Sequence, residues 1–599
     1  MSLGRTFRTA RHLTAEQWLY RLVCRGRFAA AARAPRLYRA SVERTARAFP
    51  APDADSARLR AAAAQVLQLQ QAVHGAHLDG FARGRFHFLG RTVDFGGFDR
   101  IQWRRDLGEK NNPLWRMNLA YMGWLVCLLA RGQPAELQRA RLAIESLEAQ
   151  NGWRQPGVFR DVWHPYAASH RLINLLCGLA LYRAAGGAGD AQAEAAILNH
   201  AKICAAFVLR NLERDLQYNH LFKNFVALAA FRAALAGPCK QLDFLDGEIA
   251  RSLRQQILPD GGHAERSPMY HALCLIDLRV LAAAGVATEN EAAAALHALG
   301  ATMHADGDIA LFNDSWLGEA PAARALGAAP ADGKLLLPRT GYARLGAGGD
   351  GIVFDCGPCG PDANPGHAHA DFLSVESTVY GRRFLVDPGV PTYSEGRLRD
   401  ESRSAARHNG PHLAGAEPIE FWGSFRVGRR GHAYPLEDAA LGGFAPLWCA
   451  GWQDGYRAQG VTVARWAGLW PGEALLLVDV WHGSAGNAAL EFLVPATWRH
   501  DSPLRFALQD KTVALQVPIS GCAGVARAQC WPRYGEAEAA HAVAVRPELG
   551  HRGAVAATLW RWGGDPGADV TPLARNVAAR LQALCMNPPR FVDWGVGRT

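Results

Sequence analysis

Between about residues 58 and 335, apolar positions recur every three or four residues, in segments of helical length separated by Gly, Pro and Asp. LRAAAAQVLQLQQAV, PLWRMNLAYMGWLVCLLA, SHRLINLLCGLALYRAA, EAAILNHAKICAAFVLRNLE and NHLFKNFVALAAFRAALA are the clearest. Many helices of similar length, joined by short connections with no strand-like runs between them, predict a helical array or toroid. Near Pro338 the period changes from 3.6 to two: YARLGA, GIVFDC, FLSVESTVYGRRFLVD, ALLLVDVWHG, ALEFLV, TVALQV and AATLWRW follow, bounded by Gly, Asp and Pro. No helical stretch returns until about residue 572, which predicts an antiparallel β-sandwich. The chain therefore reads as multidomain α+β: a helical extension over 1–57, a helical toroid over 58–335 and a sandwich over 336–599, with a cleft between or beside the two large domains.

Composition adds few constraints. At 599 residues, half apolar and one fifth charged, the chain is globular and too long for one core. The net charge of +10 and pI near 9.1 read as a mild Arg excess spread over a large chain, which suits a polyanionic partner. No Lys/Arg cluster, zinc-finger spacing or RNA-binding aromatic signature favours nucleic acid over an acidic polysaccharide, and a soluble protein that is merely Arg-rich accounts for the charge equally well. The first residues hold no apolar h-region, so the expected location is cytoplasmic, with periplasmic or non-classical export as the alternative. No stretch reaches the roughly 18 uncharged apolar residues of a membrane span. Several of the twelve Cys (Cys127, Cys177, Cys204, Cys274) sit in apolar helical runs and read as reduced core residues.

Two familiar motifs are decoys. Gly346-x-Gly348-x-x-Gly351 matches a dinucleotide fingerprint, but a strand follows it, with no helix N-terminus to hold a pyrophosphate. Cys356-Gly-Pro-Cys359 is followed by GPDANPG, which cannot start the helix that lowers a redox thiol's pKa. Four polar clusters remain. Tyr218-Asn219-His220 opens a helix that also carries Asn224. Asp260-Gly-Gly-His-Ala-Glu265-Arg266-Ser-Pro-Met-Tyr270 delivers polar groups and a Tyr onto the next helix. Gly366-His367-Ala-His369-Ala-Asp371 runs into a strand, and Asp387-Pro-Gly and Arg403-Ser-Ala-Ala-Arg-His408-Asn409 follow. Each has an ordinary reading: Asn219 as a helix cap, Tyr270 as a half-buried aromatic, His367 and His369 as two imidazoles on one strand face without a site.

The ordered set of NH at Asn219-His220, ERSPMY at Glu265–Tyr270, GHAHAD at Gly366–Asp371, FLVDPG and RSAARHN resembles the heparinase II/III superfamily, over roughly residues 100–430. The resemblance implies an (α/α) toroid plus an antiparallel β-sandwich, and a polysaccharide lyase acting on a uronate-containing polymer. It also implies catalytic roles for Tyr270 and His220, and uronate-carboxylate binding by Asn219 and His367. In metal-bearing relatives the residues matching His369, Asp387 and His408 bind zinc, here expected to be structural; no organic cofactor is expected. Around that last histidine the family usually has Thr-x-x-His-Asn-Thr, whereas this chain has Ser404-Ala-Ala-Arg-His408-Asn409-Gly410. Arg171, Asn224, Glu265 and Arg266 are candidate substrate-binding residues.

β-Elimination explains why these residue types are wanted. The proton at C5 becomes removable only when the adjacent carboxylate is neutralised and the developing enolate is held by donors such as Asn and His. Tyr or His then takes the proton, and Tyr can protonate the departing C4 oxygen. Two alternatives stay open: a glycoside hydrolase pairing Glu265 with a second acid such as Asp260, and a non-catalytic polysaccharide-binding or assembly protein. Which uronate, which linkage, endo or exo attack, and the oligomeric state are not legible.

Overall fold

Three basic helices, α1 (Leu3–Ala10), α2 (Ala15–Arg33) and α3 (Pro35–Arg47), precede the toroid. The protein was analysed as a computed structural model that describes residues 3–108, 111–502, 504–521, 523–565 and 567–589. Thr14 and Gln17 close a reciprocal capping box that starts α2. The toroid runs from the helix Ala57–His74 to Glu289–Leu299. Its inner helices, Pro165–Ala184, Tyr218–Ala233 and Pro268–Ala283, are buried on nearly every side, which is why their sequences are apolar all round.

One element departs from the sequence expectation of no strands in this region. Arg85–Phe88 and Arg91–Asp94 form an antiparallel hairpin, turned at Leu89 and Gly90, both with positive φ. Phe86 packs edge-on to Trp124 at 4.9 Å, so the hairpin plugs the helical core. With four residues per strand, its alternation is too short to stand out against the helical period.

The first sandwich strand, Gly333–Leu337, starts close to the expected boundary. All pairings among the described strands of this region are antiparallel: sheets of five, nine and four strands surround a shared apolar core, and Phe421–Trp422 pairs with Arg426–Val427 in a two-stranded ribbon. The terminal helix Thr571–Met586 covers the outer face of the nine-stranded sheet. The decoy glycines lie in the hairpin between Tyr342–Ala347 and Asp350–Asp355. Burial pushes the Cys356 thiol well up and Cys359 to about 12, unlike a redox pair.

Polar groups weld the domains. Arg266 donates to the backbone carbonyls of Thr340 (2.9 Å), Arg339 (3.2 Å) and Ala264 (2.8 Å). Asp260 accepts from the Arg339 and Thr340 amides and the Thr340 hydroxyl at 2.7–2.8 Å. The Gly261–Gly262 turn is tight for the same reason: a Cβ on Gly262 would lie 1.7 Å from Thr340 Oγ1.

Candidate active site at the toroid–sandwich junction

The toroid side is built from two helix starts. Gln217 and Tyr218 both have positive φ, and no side chain of their own caps the helix Tyr218–Ala233. The Glu265 carboxylate does so instead, accepting the Asn219 amide proton at 3.0 Å. Two residues on, Ser267 caps the helix Pro268–Ala283, accepting from the Tyr270 amide at 3.2 Å. One short segment thus fixes Asn219 and Tyr270 together.

His220, half-buried, directs Nδ1 to Glu213 Oε1 at 2.9 Å; His164 approaches the same oxygen at 3.6 Å. Asn224 locks Glu213 from behind: its amide donates to Glu213 Oε2 and Ser169, and its oxygen accepts the Glu213 backbone N–H. Burial is the largest single influence on His220 and opposes its charge, but Glu213, Glu265 and Asp215 together raise its pKa above the ordinary value. Tyr270 is pushed well up, by burial first and by the Asp314 charge second.

On the sandwich side, His367 stacks on Tyr270 with centroids 4.0 Å apart. Its Nδ1 meets Asp314 Oδ2 at 3.1 Å and its Nε2 meets Glu265 Oε2 at 3.4 Å. Asp314 is a hub: Arg399 grips both its oxygens, at 2.5 and 2.8 Å, and His369 Nε2 reaches it at 3.0 Å. Burial alone would raise the Asp314 pKa, yet Arg399 and the two His hold it well below the usual range. Asn313, also with positive φ, accepts the His369 amide and donates its own to Asp371.

Behind His367, the His369, Asp387 and His408 side chains are all at most 1% exposed, and one ligand atom from each lies within 4.8 Å of the others. His408 Nδ1 pairs with Asp387 at 2.7 Å, while His408 Nε2 and His369 Nδ1 are buried without a hydrogen-bond partner. Two imidazoles and a carboxylate with open buried nitrogens fit a zinc-like cation. The departure at Gly410 has a local cause: a Cβ there would lie 2.6 Å from the Phe372 carbonyl oxygen.

The structure therefore brings Asn219, His220, Tyr270, His367 and Glu265 to the junction, and His369, Asp387 and His408 directly behind it. Three candidate substrate-binding residues are placed otherwise. Arg171 is fully buried, donating to the Ala120 and Val162 carbonyls and lying 4.9 Å from the Trp163 ring centroid. Arg266 is spent on the domain weld, and Asn224 on Glu213. Glu265 is likewise a cap and a His367 partner. Sequence reasoning missed Glu213, Asp314 and Arg399; FNDSW, a polar interruption at a domain boundary, was the available signal for Asp314.

Asn219 and Tyr270 also line a cavity of about 90 Å³ that continues into the toroid. Deeper in stand Tyr121, Tyr166, His170 and Glu319, together with a Lys223–Asp277 pair at 2.5 Å. His220 stacks on Tyr166 with centroids 4.5 Å apart. Burial raises Glu319 to about 7 and lowers His74 and His263 to about 3.

No curated protein matches the chain. Among solved structures, heparinase III superposes with a TM-score of 0.65 at 16% identity, covering 83% of this chain and 85% of that one. A mutant of the heparan sulfate lyase HepC from Pedobacter heparinus superposes at 0.53, with 16% identity and coverage of 83% and 84%. At such identity the likeness is one of fold. Residues 329–546 match the family model for the heparinase II/III-like C-terminal domain. That C-terminal stretch is therefore similar to a heparinase II/III-like domain, and it is joined to a toroid of the fold seen in heparinase III.

Proposed function

We propose that the protein is a polysaccharide lyase that cleaves a uronate-containing polymer by β-elimination. The observation that carries the reading is the Tyr270–His367 ring pair beside Asn219, with His220 packed behind Tyr166 of the same cavity wall. Asn219 and His367 neutralise the uronate carboxylate, which replaces the longer 3.4 Å contact of His367 to Glu265. Tyr270, its pKa driven up, stays protonated and delivers its proton to the departing C4 oxygen. Neutral His220, made more basic by Glu213, takes the C5 proton.

The hydrolase alternative needs two free carboxylates across the bond. Asp260 is held by the Arg339 and Thr340 amides, and Glu265 by Asn219 and His367, so neither faces a sugar alone. The inner cavity supports a narrower substrate. Lys223 is matched by Asp277, burial keeps the lining His residues neutral, and Glu319, raised to about 7, is neutral in mild acid. Such a chamber suits an uncharged sugar ring stacked on tyrosines, so the polymer alternates uronate with uncharged residues. His369, Asp387 and His408 would hold a structural zinc, whose charge would stiffen the loop that carries His367 and His369.

The test is a panel of polymers followed near 232 nm, with product masses. Unsaturated ends from an unsulfated alternating polymer are expected, and Tyr270→Phe should lower kcat at least about a hundredfold. Cleavage of a uronate homopolymer instead would remove the alternating substrate but keep elimination. Saturated ends carrying added water would end the lyase reading.

A further inference from the structure

The net charge is not spread along the chain. Residues 1–47 contain eleven Arg and two Glu, and so carry nine of the ten net positive charges. The same segment holds six of the thirteen exposed large hydrophobic side chains among the described residues: Phe7, Trp18, Leu19, Leu22, Val23 and Leu37, between 37% and 75% exposed. On α2, Trp18 with Leu22 and Leu19 with Val23 are four residues apart, so they form one outward stripe.

That stripe is not the face α2 uses to pack. Its inward face is set by Gln17, which donates to the Ala363 carbonyl, and by Phe28, whose ring lies 5.0 Å from Phe159. Both acids are engaged, Glu16 by Arg214 and Arg251 and Glu43 by Arg39. Arg5 and Arg8 are engaged by Glu420, while Arg11, Arg25, Arg33 and Arg36 stand exposed. Exposed apolar surface at this density marks an interaction site.

We propose that α1–α3 dock the protein on an anionic phospholipid surface. α2 lies in the interface, its Trp18–Val23 stripe among the upper acyl chains and its arginines against the headgroups. Charge selects this occupant. A second copy would set nine net positive charges against nine. A polysaccharide would use the arginines and Trp18, but Leu19, Leu22 and Val23 offer a sugar neither hydrogen bonds nor a flat ring. Trp18 and Leu22 also edge the groove between α2 and Trp422–Arg430, which leads towards His367. Docking would therefore hold the catalytic cleft beside the bilayer. No described helix is long and apolar enough to cross it.

The experiment is co-sedimentation of the full-length protein with phosphatidylcholine vesicles, with and without phosphatidylglycerol. Binding is expected only with the anionic lipid, and should weaken as salt rises. Leu19→Ser/Leu22→Ser should lower binding by about tenfold or more, as should Arg33→Glu/Arg36→Glu. Thermal unfolding and turnover of soluble polymer should stay unchanged in both, which separates this outcome from failure of the lyase reading. Absence of vesicle binding, equal binding to neutral vesicles, or a stable dimer that Leu19→Ser/Leu22→Ser dissolves would each overturn the proposal.

Discussion

Two clusters of the same composition, two histidines and one carboxylate, flank the cleft, and each has its ligand atoms within 4.8 Å. His369, Asp387 and His408 on the sandwich are sealed, at most 1% exposed. On the toroid, the His164 and His220 side chains are 24% and 28% exposed around a Glu213 that is 5% exposed. Donor identity alone does not separate them; burial and what lies behind them do. The sealed cluster leaves two ring nitrogens unpartnered in a dry interior, an arrangement a cation completes. In the open cluster Glu213 is already satisfied by Asn224 and His220. On the proposed reading, the closed cluster holds an ion and in the open one Glu213 tunes a base.

The sharpest way to break that contrast is to remove a ligand from the sealed side. His408→Ala leaves Asp387 buried without its 2.7 Å partner. Loss of one partner from a buried pair typically costs about 3–5 kcal/mol. Thermal unfolding should therefore fall steeply, and elemental analysis should show divalent metal falling with it. A His408→Ala protein with wild-type stability and metal content would put the two clusters in the same class.

The next test is His220→Gln on the open side, which keeps a donor facing Glu213 but cannot take a proton at C5. Turnover should drop by about a hundredfold or more while stability stays close to that of the parent. A large loss of stability with turnover retained would reverse the assignment and make the open cluster the structural one.

The two sides also differed in how far they could be read from sequence. The long apolar helical runs and the short β-branched and alternating runs located the toroid and the sandwich, because each domain repeats one kind of element over many residues. The hairpin at Arg85–Asp94 escaped, being too short to show a period. At the site, residues adjacent in sequence were legible: Asn219 with His220, Glu265 with Tyr270, His367 with His369. What binds them together was not. Asp314 meets Arg399 across 85 positions, and Arg266 meets Thr340 across 74. Arg171, Asn224 and Arg266 have the residue types of anion ligands, but their donors face backbone carbonyls and a buried acid, a distinction that only three-dimensional packing makes. The arginine excess looked diffuse as a total and proved to be nearly all in α1–α3.

The smallest expected effect is the most discriminating, because it tests tuning and not presence. Glu213→Gln keeps the shape of the side chain and can still accept from His220, but it removes the charge. In the parent, burial lowers the His220 pKa, and Glu213, aided by Glu265 and Asp215, raises it for a net rise. A base works in its neutral form, so kcat/KM should climb as pH rises through that elevated pKa. Without the Glu213 charge, burial is less opposed and the pKa falls. The acidic limb should then move to lower pH, leaving the variant relatively more active than the parent in mild acid. At high pH, where His220 is neutral in both proteins, the weaker base should cost only a few-fold in kcat. If the base were Tyr270, burial and the Asp314 charge would set its pKa and the acidic limb would stay where it is. An unmoved limb in Glu213→Gln, with normal folding, would therefore transfer the base role from His220 to Tyr270.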